Sequence, residues 1–211
     1  MTTGAVRHAL RDNLSEDAEH WLAESIDAVA ADPARIRTLF PAVGRKCGRG
    51  PLATEHNELR GWSVDDAVRV LLLTALSARA LMSEINELYR YGDASEKRAV
   101  LRGLSAVPIG SDGLPLIRDA LRTNDTRLVA AALGTYGAEH LDAAGYRHGV
   151  LKCVFMGIPL AGISGLAERA DPELTRMLRS FAEERLAAGR PVPADVGLLV
   201  PEFPEFPDLE A

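Results

Sequence analysis

The densest group of side chains able to bind or react is Arg45-Lys46-Cys47-Gly48-Arg49-Gly50-Pro51. Cations interleaved with glycines permit close backbone approach and would suit a phosphate or carboxylate. The spacing is not GxxxxGK[ST], so this is no nucleotide P-loop. A solvated basic loop accounts for the same residues. Cys47 would act as a thiolate nucleophile if its cationic neighbours lowered its pKa. No histidine adjoins it in sequence, and a small buried cysteine is the commoner case.

A second group is Arg122-Thr123-Asn124-Asp125, at a turn between helices. Free backbone N–H groups there, with Arg122 or Arg127, would take an anion; simple helix capping uses the same residues. Lys152 lies inside the apolar run GVLKCVFMG. It must snorkel, pair with an acid, or point into a polar cavity. Histidines 8, 20, 56, 140 and 148 form neither HxxxH nor HExxH, so no metal site or cofactor is expected. No carboxylate pair stands out as acid and base, and no catalytic residue is assigned.

The elements that must hold these groups are helical. Ala and Leu supply 61 of the 211 residues, while aromatics make up only 5%. Both enter helices at little entropic cost, and a sandwich or barrel would need more β-branched and aromatic residues. The net charge of −6 argues against a nucleic-acid partner. The run Val70 to Leu76 is too short to span a bilayer, so no membrane insertion is expected. The first residues lack an apolar stretch of signal-peptide length. Cys47 and Cys153 suit neither a disulfide framework nor a zinc finger. The expected setting is cytoplasmic.

Caps and stripes place the helices. Ser15 opens one, with Leu22, Ile26 and Val29 at helical spacing. Asp32-Pro33 starts a short helix ending near Phe40–Pro41, and residues 41–61 read as a long basic loop. Ser63 begins a nearly all-apolar helix whose Asp65 and Asp66 complement its positive end. Asp93 with Glu96, Asn124 or Asp125, Asp142 and Asp171-Pro172 cap later helices, and Gly92, Gly157 and Gly189 end them. The expected fold is all-α, a HEAT-like superhelix of antiparallel helix pairs. One helical domain covers residues 1–200, with an acidic Pro/Phe tail, PEFPEFPDLEA, left disordered over 201–211.

The strings YRYGDASEKRAVLRGL, LRTNDTRLVAAALG, GVLKCVFMGIPLAGISGLAERADPELTRML and FAEERLAAGRPVPAD together resemble the EboA family of metabolite-traffic proteins. The resemblance is densest over residues 62–200, and FPAVGRKCGRGPL is similar to actinobacterial members. It implies an all-helical cytoplasmic protein encoded beside secondary-metabolism enzymes such as a prenyltransferase and a sugar-phosphate cyclase. The family supplies no established catalytic residue. Asn124, Lys152 and Arg169 fall on its shared pattern and join the candidate site.

The expected function is therefore a non-catalytic accessory protein. It would bind an anionic or prenylated metabolite, or another protein of the cluster, through Arg45, Lys46, Arg49, Arg122, Thr123, Asn124, Lys152 and Arg169. Two other readings are an enzyme acting on a prenylated or phosphorylated cyclitol, and a scaffold that docks partners through its tail.

Overall fold

A computed structural model describes residues 3–200. These residues form twelve α-helices and no strand. They divide into two compact units, one ending at Thr123 and one beginning at Asn124. The tail at 201–211 lies outside the described residues.

The first unit is built around a helix with no exposed face. It contains α1 (Thr3–Arg11), α2 (Glu16–Ala31), α3 (Ile36–Lys46), α4 (Val64–Thr74), α5 (Ala78–Tyr91), α6 (Ala94–Gly103) and α7 (Leu114–Arg122). Every residue of α4 from Val64 to Leu73 is buried, as expected of a helix apolar on nearly all sides. α6, α1, α3 and α2 pack around it. Gly103 on α6 lets that helix close on Val70 and Leu73, since a Cβ there would press on both side chains.

Three charged residues of α4 are also buried. Asp66 accepts from the Ser63 backbone N–H at 3.1 Å and from Arg98 Nε at 2.9 Å, and it pairs with Arg102. Asp65 and Arg69 pair with each other, and Arg69 Nε donates to the Phe40 carbonyl at 3.1 Å. Asp65 and Asp66 lie in the first turn of α4, as their place near its positive end in the sequence led one to expect. Asp66 closes a capping box with Ser63, and arginine side chains are further partners of both carboxylates.

α3 runs past Pro41 to Lys46 instead of stopping near Phe40. Proline removes one helical hydrogen bond. However, Ile36, Phe40 and Val43 continue a buried stripe through it, and that packing holds the helix together. The Cys47 N–H closes the end on the Val43 carbonyl at 2.8 Å, and Gly48, at φ 91°, turns the chain. The segment that follows is fastened. Pro51 bridges Ser63, Leu52 and Leu59 are buried, and Asn13 both donates to and accepts from the Ala53 backbone, at 2.8 and 3.0 Å.

The second unit contains α8 (Thr126–Ala132), α9 (Thr135–His140), α10 (Ala143–Met156), α11 (Leu166–Arg169) and α12 (Pro172–Ala187). Asp125, Asp142 and Asp171 cap α8, α10 and α12 as their positions before each apolar stripe require. Gly157, at φ 69°, ends α10 in the left-handed conformation that favours glycine. Short α9 and α11 occupy stretches too brief to show a period in sequence.

Candidate functional site

A groove of about 240 Å³ opens on the first unit between α1 and α2. Its floor follows from the way α1 packs. Val6, Ala9 and Leu10 turn inward, which leaves Arg7 and Arg11, one helical turn apart, exposed along one edge. α2 supplies the other wall through Glu19, Leu22, Ala23 and Ile26, and Leu71 of α4 closes the bottom. Leu10, Leu22 and Leu71 are buried; Leu14 and Ile26 are half-buried. The result is an apolar trough with two cations on one lip and one carboxylate on the other. Among the described residues no ion pair engages Arg7, Arg11 or Glu19. This arrangement suits retention of an apolar body bearing a charged group.

The lining of this groove includes none of the sequence candidates. Arg45 and Lys46 are exposed on the last turn of α3, and the exposed Arg49 folds its side chain across Gly44. These three form one cationic cluster. Cys47, between them, is half-buried, and burial pushes its thiol up to about 11, with the Arg69 charge pulling weakly the other way. That is the reverse of an activated thiolate.

Arg122 is exposed at the end of α7, where the Thr123 hydroxyl donates to the Ala120 carbonyl at 2.9 Å. In the second unit Asn124 is exposed beside Asp125. The Asp125 carboxylate accepts from the Arg127 backbone N–H at 2.9 Å and from its guanidinium at 3.0 and 2.7 Å. A carboxylate thus already occupies the start of α8. Lys152 is half-buried on α10.

Arg169 has a structural attachment. Its guanidinium donates to the carbonyls of Ala138 at 2.5 Å and Leu141 at 2.8 Å, which capture the C-terminal end of α9. It also lies 4.2 Å over the Tyr146 ring, whose hydroxyl donates to the Ser164 carbonyl at 2.7 Å. Arg169 therefore ties α9, α10 and α11 together. Among the described residues no group of three or more His, Cys, Asp or Glu is arranged to hold a metal ion.

Sequence reasoning missed Arg7, Arg11 and Leu71. Val6, Ala9 and Leu10 alternating with Arg7 and Arg11 carried an amphipathic signal over residues 3–11. The contribution of Leu71 comes only from tertiary packing.

The described residues define an all-helical protein whose first unit carries an apolar groove with charged lips. More specifically, the family model described as metabolite traffic protein EboA matches residues 2–200, and the chain belongs to that family. The family's description assigns it to metabolite traffic. No curated protein and no solved structure matches the chain. No helix among the described residues is long and apolar enough to cross a membrane.

Proposed function

We propose that the protein is a non-catalytic carrier or accessory protein that holds a small metabolite of its pathway in the groove between α1 and α2, within the cytoplasm. The observation that carries this reading is the pairing of a buried leucine floor with unpaired arginines at its lip. Apolar surface supplies affinity, and a few placed charges fix orientation. A competing enzyme reading would use the Cys47 thiolate as nucleophile, and it is disfavoured because burial keeps that thiol protonated.

The exposed cluster of Arg45, Lys46 and Arg49 favours a second, compatible role as a docking surface for an acidic partner of the same pathway.

The test is to pass an extract of the protein's own cells over the immobilised chain. Retained compounds are then released and weighed by mass spectrometry. The expected result is a compound released with the mass it had in the extract. Conversion to a new mass during incubation would contradict the carrier reading.

A further inference from the structure

We infer that the groove takes an amphiphilic anion: a short apolar segment lying on the leucine floor, with a carboxylate or phosphate held between Arg7 and Arg11. This rests on the binding role proposed above and adds the chemical class of the ligand.

Three observations lead there. Arg7 and Arg11 sit at i and i+4 on α1 and both line the groove, so they share one helix edge beside it. A guanidinium is a planar donor suited to carboxylate and phosphate oxygens, and two of them over one head group exceed what a neutral ligand would need. Glu19, on the opposite wall, repels an anion placed there and so directs the head group to the α1 lip. Finally, a volume of about 240 Å³ lies below the roughly 300–1,000 Å³ of pockets that enclose drug-sized ligands. An open trough of that size seats a short chain or a single ring system while the polar end stays in water.

Hexyl phosphate, octyl phosphate, octanol and inorganic phosphate are suitable probes, titrated into the full chain calorimetrically at concentrations below micelle formation. Octyl phosphate is expected to bind at least about tenfold more tightly than either octanol or inorganic phosphate. Each added methylene that reaches the floor should tighten binding by up to about fourfold. The double substitution Arg7→Gln/Arg11→Gln should weaken octyl phosphate about tenfold or more and leave octanol unchanged. Both residues are exposed, so an unaltered melting temperature confirms that the variant folds. Ala23→Trp, which fills the trough, should abolish both octyl phosphate and octanol binding.

Octanol binding as tightly as octyl phosphate would overturn the anionic-head inference while leaving the groove as a binding site. Octyl phosphate binding that survives Ala23→Trp would place the site elsewhere and overturn both. Self-association that Arg7→Gln/Arg11→Gln abolishes would assign the groove to a second copy of the chain and overturn the inference.

Discussion

Arg69 Nη1 lies 2.5 Å from Asp65 Oδ2, one turn away on α4, and both side chains are enclosed in the first unit. Asp65 Oδ1 and Arg69 Nη2 are buried without a hydrogen-bond partner. A buried ion pair contributes little net stability, but removing one partner strands the other charge. Arg69→Met or Asp65→Leu alone should cost about 3–5 kcal/mol in denaturant unfolding. The double variant should recover most of that loss. Strictly additive losses would show that the pair is not coupled.

The caps in the second unit make an acid-dependent contribution. The Asp171 carboxyl is held below its ordinary range by the Leu174 N–H it accepts at 2.9 Å, with Arg147, at 2.6 Å, acting in the same direction against partial desolvation. A depressed carboxylate contributes stability above its unfolded pKa of about 4, and that contribution disappears as pH falls through the lower folded value. The melting-temperature gap between wild type and Asp171→Ala should be steady from pH 8 to about 5 and narrow below about 4. A gap that widens in acid would contradict this assignment.

Much of this architecture is visible in sequence because it depends on local chemistry. Asp125, Asp142 and Asp171-Pro172 each precede an apolar stripe, and each caps the helix that follows. Pro41 misleads because proline ends helices by local rules, whereas Phe40 and Val43 hold α3 through tertiary packing. The partners of Asp66, Arg98 and Arg102, lie more than thirty residues away, so no local pattern announces that pairing. The groove was hidden for the same reason, since α1, α2 and Leu71 of α4 meet only after folding.

Gly137 on α9 faces the Ala132 backbone carbonyl so closely that a Cβ there would overlap it. Alanine is the better helix former by about 1 kcal/mol, so propensity alone predicts stabilisation. A backbone carbonyl cannot rotate aside as a side chain does. Gly137→Ala should therefore destabilise, by about 1–3 kcal/mol in thermal or denaturant unfolding. A stabilised variant would contradict that packing.

The cysteines should be slow to alkylate. Burial lifts Cys47 to about 11 and Cys153 to about 12. At pH 8 Cys47 then carries about a hundredfold less thiolate than an ordinary thiol. Iodoacetamide labelling of the native chain, followed by intact mass, should show it trailing a model thiol by a comparable factor. Labelling as fast as the model thiol would reopen the case for a nucleophile.

The central claim is that the trough between α1 and α2 holds the metabolite. The most direct test compares small molecules captured from the protein's own cell extract by the wild-type chain and by Ala23→Trp. The account predicts a compound bearing a carboxylate or phosphate on an apolar body, recovered with wild type and missing with Ala23→Trp. The same compound recovered equally from both proteins would contradict it.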